Sequence, residues 1–470
     1  MNLSSLIAGQ PVLGHGTLHV RNPYSGAEVG TVALASRADV EAAVHAARTF
    51  TSTLDRFQRS EVLEKTRTAL EARREEFARL ITSETGLALR EGRYEVGRTL
   101  DVLHFAAMEA LRDDGQIFSA DISPQGKARK IFTVREPLRC AAAITPFNHP
   151  LNQVAHKVAP AIAAGTPIVL KPSEKTPLVV LKFAELLYAA GLPGAMLSVL
   201  LGPTQEVAEP LACHEDVEVL AFTGSVAVGK HIALTAGYKK LVLELGGNDP
   251  LIVLNDADLD LAVTLAAEGC FRNSGQRCTA VKRILVEEGI AAEFTARLVA
   301  KTREYVCGDP VDEATRVGTV IDEAAAAHLE TVLEEAVVMG AHVLAGGDCR
   351  GALFQPTVIA DVPRDCRMVL HESFGPLAPI LKVRDLDDAL TVANATAYGL
   401  SSGVVTTNLN SALKAIQALR CGTVNINEVP GFRIECSPFG GIKDSGLGAK
   451  EGVIEAIKAY SFVKTFSLPW

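Results

Sequence analysis

The 470 residues contain no apolar run long enough to cross a bilayer. The longest charge-free apolar run, Val158 to Leu170, is interrupted by Pro160, Gly165 and Pro167. It falls short of the roughly 20 residues that a spanning helix needs. The opening MNLSSLIAGQ lacks the basic region that precedes a secretory signal. There is no CxxC pair, and the nine cysteines are scattered singly from Cys140 to Cys436. That pattern suits free thiols in a reducing cytoplasm better than a disulfide framework or a zinc site, and no bound metal is expected. Repeats and low-complexity tracts are also missing. A positive excess is lacking as well: the net charge of -9 and a pI near 5.7 argue against nucleic acid and anionic membranes as partners. An anionic small molecule would need a local cationic pocket.

What is present is ordinary globular composition, 48% hydrophobic and 21% charged, at a length that suits two packed domains. Ser36 and Asp39 read as a capping box before Val40, Ala43, Val44 and Ala47 at helical spacing. A second helix is expected over about 60–83, ending at Gly86, and a third through Tyr94, Arg98, Asp101 and Phe105. From Cys140 onward, short apolar runs alternate with helical stretches: PIVLKPS (167–173), LSVLLG (197–202), VEVLAFTGS (217–225), LVLELGG (241–247), LIVLN (251–255), RILVEE (283–288) and APILKV (378–383). This is the signature of βαβ units and parallel sheets, an α/β fold. Ile117 to Val134 alternates around a turn at Ser123–Gly126 and reads as a protruding hairpin. YSFVKTF (460–466) is a further strand, suited either to that hairpin and a subunit contact or to the parent domain.

Cys278, in FRNSGQRCTA, follows a helix expected over about 258–273 that Gly275 ends. Most lone cysteines are small buried apolar residues. Cys278 instead sits among Gly, Gln, Arg and Thr, where a cation such as Arg277 would favour the nucleophilic thiolate. Glu244 ends an apolar strand, so it is either an ion-paired carboxylate or a general base raised by partial burial. Asn148, in ITPFNHP between Pro146 and Pro150, is either a turn asparagine or an amide donor to an oxyanion. KPSE (171–174) and FTGSVAVG (222–229), with Ser225 opening a helix, suggest a dinucleotide site, although GxGxxG is absent.

Together these segments resemble the aldehyde dehydrogenase superfamily over essentially the whole chain. The motifs that carry the resemblance are ITPFNHP (144–150), VLKPSEKTP (169–177), GLPGAMLSVLLG (191–202), FTGSVAVG, LELGG (243–247), NSGQRC (273–278), ESFGP (372–376), GTVNIN (422–427) and PFGGIKDSG (438–446), in family order. The 34 residues between Glu244 and Cys278 also resemble the family's spacing.

The resemblance implies a Rossmann-type NAD-binding domain over 1–115 and 137–244, an α/β catalytic domain over 245–456, and a small β oligomerisation arm from 116–136 and 457–470. It implies a homodimer or homotetramer. Cys278 would attack the aldehyde, Asn148 would hold the oxyanion, and Glu244 would activate the water that hydrolyses a thioester. NAD would be held by Thr145, Pro146, Lys171, Ser173, Glu174, Gly202, Phe222, Thr223, Gly224, Ser225, Leu245, Gly246, Glu372 and Phe374, with Glu174 disfavouring a 2′-phosphate.

Arg98, His149, Arg277, Thr279 and Arg433 fall where the superfamily lines its aldehyde entrance. Cations there, with NHPLNQVAHK (148–157), LELGGNDP (243–250) and TFSLPW (465–470), look similar to phosphonoacetaldehyde dehydrogenases. Each cation has a plainer alternative, such as Arg98 pairing with Glu95 or Asp101 along its helix. Lactaldehyde and non-phosphorylating glyceraldehyde-3-phosphate dehydrogenases are the rival readings within the superfamily. An acylating enzyme that passes its thioester to coenzyme A, and a non-catalytic binding protein on the same fold, are the rivals beyond that.

Overall fold

A computed structural model describes all 470 residues. Five short strands between Asn2 and Ala33 precede four helices: α1 (Arg37–Thr49), α2 (Arg56–Ala72), α3 (Arg74–Thr85) and α4 (Leu89–Ala110). Ser36 and Asp39 cap α1 reciprocally, and Gly86 ends α3 in the left-handed conformation. The single helix expected near 60–83 is two, because Arg73 leaves helical geometry at φ -114°, ψ 21°.

A seven-stranded sheet follows, built around five parallel strands in the spatial order Lys240–Glu244, Val219–Thr223, Ala141–Ile144, Ile168–Lys171 and Leu197–Val199. Its strands alternate small apolar side chains between two faces. Ala141, Ala143, Ile168 and Leu170 enter one core, and Ala142, Val169, Leu220 and Phe222 the other. Three helices serve as crossovers or flank this sheet: α5 (Pro150–Ala164), α6 (Pro177–Ala189) and, beyond the short α7 (Glu209–Cys213), α8 (Val226–Thr235). The chain starts in the middle of the sheet, fills one side, then returns to fill the other. The crevice between Ala141–Ile144 and Val219–Thr223 is therefore a topological switch point, where α/β sheets bind ligands at their carboxyl ends.

Five residues after Glu244 the chain enters a second seven-stranded sheet through Asp249–Val253. Helix α9 (Leu259–Phe271), capped by Asp258, then leads toward Val281–Glu287, and Leu377–Val383 lies alongside that strand in parallel. The carboxyl ends of the first sheet thus face the amino ends of the second. Residues that follow strands of one and precede strands of the other meet in between.

The hairpin strands Ile117–Ser119 and Arg129–Pro137 pair antiparallel, and Ser461–Pro469 continues the sheet from Ser461↔Pro137 to Pro469↔Arg129. The C-terminal strand thus pairs within its own chain. No helix is long and apolar enough to cross a membrane.

Candidate active site

Between the sheets lies a cavity of about 250 Å³ lined by Pro146, Phe147, Asn148, Gln153, Thr223, Gly224, Ser225, Glu244, Leu245, Gly246, Cys278, Glu372 and Phe374. Thirteen residues from distant segments meet there, and eleven of them were singled out from sequence; Phe147 and Gln153 were not. Asn148 and Ser225 follow strands of the first sheet, while Cys278 and Phe374 precede strands of the second.

Cys278 is delivered by a tight kink. After α9, Asn273 (φ 57°), Ser274 (φ 52°) and Gly275 (φ 70°) all adopt left-handed backbone. Only glycine fits at 275, because a Cβ there would lie 2.1 Å from the Gly375 carbonyl oxygen. Burial pushes the Cys278 thiol up to about 11, against the pull of Lys282 and Arg433. Lys282 donates to the Cys278 carbonyl at 2.7 Å and pairs with Glu372 at 2.9 Å. Arg277, expected to favour the thiolate, instead donates through Nη2 to the Glu268 and Gly269 carbonyls at 3.2 and 2.8 Å. Those carbonyls cap the end of α9, so the guanidinium is held by a helix terminus.

Glu244 is 4% exposed, and neither carboxylate oxygen has a hydrogen-bond partner. Burial, with Glu451 adding repulsion, raises its carboxyl well above the usual range, against Lys157, Arg433 and Lys450. Asn148 donates one amide N–H to the Gln276 carbonyl at 2.8 Å. The Cys278 backbone N–H has no backbone partner.

The dinucleotide candidates follow the first sheet's carboxyl edge. Ser225 caps α8, accepting from Val228 N at 3.3 Å, and no acidic residue occupies that helix's first turn. Its N–H pole is therefore open to a diphosphate. Thr145 presents a buried hydroxyl without a partner. Phe222 and Thr223 end their strand, and Leu245 is buried beside the cavity. Glu372 Oε1 accepts from Gly247 N at 3.3 Å, and a Cβ on Gly246 would lie 2.1 Å from Glu372 Oε2. Phe374 (φ 56°) meets Phe147 edge-on at 6.0 Å. Lys171, Ser173, Glu174 and Gly202 lie further along the same edge, outside the cavity. There Lys171 holds Glu174 at 2.5 Å, and the carboxylate remains 39% exposed. These features fit a nicotinamide dinucleotide. No group of three or more His, Cys, Asp or Glu side chains is arranged to hold a metal ion.

None of the five entrance candidates lines that cavity; Arg98 acts electrostatically on both His149 and Arg433, and Arg433 on Cys278. Arg98 pairs with Glu435, not with Glu95 or Asp101. Arg433 lies over the Phe439 ring at 3.9 Å, with a buried Nη1 that has no partner. Burial lowers the basicity of His149 against the pull of Glu95 at 3.7 Å, and Arg98 and Arg277 add to the lowering. Thr279 packs against Gly431, where a Cβ would lie 2.4 Å from its Oγ1.

Sequence reasoning missed Gln153, His156, Lys157, Lys282, Glu435 and Glu451. His149, Asn152, Gln153, His156 and Lys157 recur at helical spacing, a pattern that reads as the wet face of an amphipathic helix. Yet α5 is buried on every side. Its polar stripe faces protein: Lys157 holds Thr223 Oγ1 at 2.7 Å and pairs with Glu451.

The Aldehyde dehydrogenase family profile matches residues 13–466. The chain belongs to that family. It is 39% identical over 442 residues to the 3-sulfolactaldehyde dehydrogenase of Priestia aryabhattai, covering 94% of this chain and 92% of the relative. It is 38% identical over 409 residues to the sulfoacetaldehyde dehydrogenase of Neptuniibacter caesariensis, covering 87% and 89%. Among solved structures, the NADP-dependent glyceraldehyde-3-phosphate dehydrogenase of Bacillus halodurans, complexed with NADP, superposes with a TM-score of 0.97 at 32% identity, covering 100% and 99%. The aldehyde dehydrogenase fold is thus established, and the chain is an NAD(P)-dependent aldehyde dehydrogenase.

Proposed function

We propose that this aldehyde dehydrogenase oxidises a short aldehyde carrying a phosphonate or sulfonate beside the reacting carbon, with phosphonoacetaldehyde to phosphonoacetate as the first choice. The observation that carries the reading is the Arg433 guanidinium, whose buried Nη1 has no acceptor in the protein. An unmatched buried donor of this kind calls for an anionic ligand. Arg98 and His149 stand in the same electrostatic neighbourhood. The relatives named for sulfonated aldehydes support the same class, because sulfonate and phosphonate are both tetrahedral oxyanions. Thr279 would shape the entrance. Arg277 would contribute through its charge and its unpartnered Nε, since Nη2 is engaged.

In this reading Cys278 Sγ attacks the carbonyl carbon to give a thiohemiacetal. Its oxyanion is met by the second amide N–H of Asn148 and by the Cys278 N–H. Bound NAD supplies the hydride acceptor. Glu244, desolvated and without a hydrogen-bond partner, then takes the proton of the water that hydrolyses the thioester. That role favours hydrolysis over transfer to coenzyme A. Ser225 and the α8 N-terminus would hold the diphosphate, Lys171 and Glu174 the adenosine ribose, and Glu372 the nicotinamide ribose. Thr145, Pro146, Ser173, Gly202, Phe222, Thr223, Gly224, Leu245, Gly246 and Phe374 would line the cofactor's path. Glu174 would disfavour a 2′-phosphate, so NAD is preferred over NADP.

We also assign 1–115 with 137–244 to NAD binding, 245–456 to catalysis, and 116–136 with 457–470 to self-association. The test is NADH formation across phosphonoacetaldehyde, sulfoacetaldehyde, glyceraldehyde 3-phosphate, lactaldehyde and succinate semialdehyde, with and without coenzyme A. The highest kcat/KM on lactaldehyde would overturn the anionic reading.

A further inference from the structure

Three segments distant in sequence converge on one carboxylate. Glu435 is 4% exposed and lies in the loop that carries Arg433. From α4, Arg98 donates to it twice, Nε to Oε1 at 2.5 Å and Nη2 to Oε2 at 3.2 Å. From α5, His156 Nε2 lies 2.5 Å from the same Oε2. The backbone is fixed too, since Val453 N donates to the Glu435 carbonyl at 3.1 Å. Both hydrogen bonds of Arg98 go to Glu435, which leaves Nη1 uncommitted.

Burial drives His149 and His156 toward their neutral forms. Burial also works against the Glu435 charge, yet Arg98, His156 and Arg433 together hold its carboxyl far below the usual range. The Glu435 carboxylate is thus shared by two guanidiniums, which Glu95 and Glu451 reach only through space. Arg98 Nη1 and the buried Arg433 Nη1 have no acceptor in the protein, and an anion would supply one.

We propose that Glu435 is a specificity-determining positioning residue: by clamping Arg98 through Nε and Nη2 it turns Nη1 toward the substrate's anionic group and sets that arginine against Arg433. The role rests on the anionic-aldehyde reading above. A bidentate carboxylate fixes the plane of a guanidinium as well as its place. His156, sharing Oε2, keeps the carboxylate from rotating out of that plane. Glu435 makes no hydrogen bond to Cys278; its hydrogen-bonded route to the substrate runs through Arg98, while Arg433 feels only its charge.

The test is a double-mutant cycle on the full-length enzyme, with kcat and KM measured for phosphonoacetaldehyde and for neutral propionaldehyde. Glu435→Gln keeps the size but replaces one acceptor oxygen with an NH2 group facing Arg98. It should raise KM for the phosphonate about tenfold or more while kcat falls much less, with propionaldehyde kcat/KM changing by under about threefold. Combined with Arg98→Ala, it should add nothing to the phosphonate loss of Arg98→Ala alone. Equal losses on both aldehydes, or losses that multiply in the double variant, would overturn the proposal. If Arg98→Ala itself does not separate charged from neutral aldehydes, the anionic reading falls, and the role of Glu435 falls with it. Glu435→Asp covers the case in which the glutamine variant does not fold. It keeps the charge but withdraws it by one methylene, so KM for the phosphonate should still rise, by less. An unchanged KM there would equally refute the role.

Discussion

Cys278 and Glu244 are both driven toward their neutral forms by burial, and this fixes how the rate should depend on pH. Glu244 acts as a base only when ionised. Because its carboxyl sits well above the ordinary glutamate value, turnover should climb with pH through that raised value and not level off near ~4.3. The Cys278 thiol, pushed up to about 11, adds in the same direction, since thiolate accumulates as pH rises. A kcat profile flat between about pH 5 and 8 would contradict both shifts. Substitutions separate the two roles. Cys278→Ala should abolish NADH formation while leaving NAD binding by calorimetry nearly intact, because none of the groups proposed to hold the cofactor is the Cys278 side chain. Glu244→Gln should release one equivalent of NADH and then stall, with an acyl adduct on Cys278 visible by mass spectrometry. Steady turnover without an adduct would remove Glu244 from the hydrolytic step.

At the scale of elements, the kink after α9 is the most exacting piece of local structure. Three successive left-handed residues place Cys278 at the amino end of Val281–Glu287, and Gly275 has no room for a side chain. Gly275→Ala should therefore cost at least about 1 kcal/mol in stability and also lower kcat, by shifting the nucleophile. Thermal melting and steady-state kinetics on one preparation check this, and a parent-like Tm with parent-like kcat would refute it. The elements themselves were largely legible, because apolar runs closed by Gly, Pro or Asp mark strand ends whatever the tertiary context. NSGQRC likewise shows its break through Gly275. Two things could not be read. The polar stripe of α5 obeys the helical period of a solvated face, and only tertiary packing shows that it is buried. Glu435 lies in an irregular loop 337 residues from Arg98, and no local pattern reports a pairing across that distance.

At the scale of the molecule, the two sheets oppose carboxyl ends to amino ends, so cofactor candidates and nucleophile can share one cavity while belonging to different cores. The antiparallel arm stands apart, with Ile117, Phe118, Phe462, Val463 and Trp470 all exposed in the single chain. Such a patch favours burial against another copy. Phe462→Glu with Val463→Glu should reduce the mass measured by light scattering without changing the chain's fold by circular dichroism. An unchanged mass would count against this patch as the proposed self-association surface. The central claim remains that the entrance reads a negative charge beside the aldehyde. The most direct measurement is the ratio of kcat/KM for phosphonoacetaldehyde to that for propionaldehyde, in the parent and in Arg433→Ala. A charge-assisted hydrogen bond is worth roughly 1.5–3 kcal/mol, so the ratio should fall by about ten- to a hundredfold. A ratio that stays at the parent value would contradict the account.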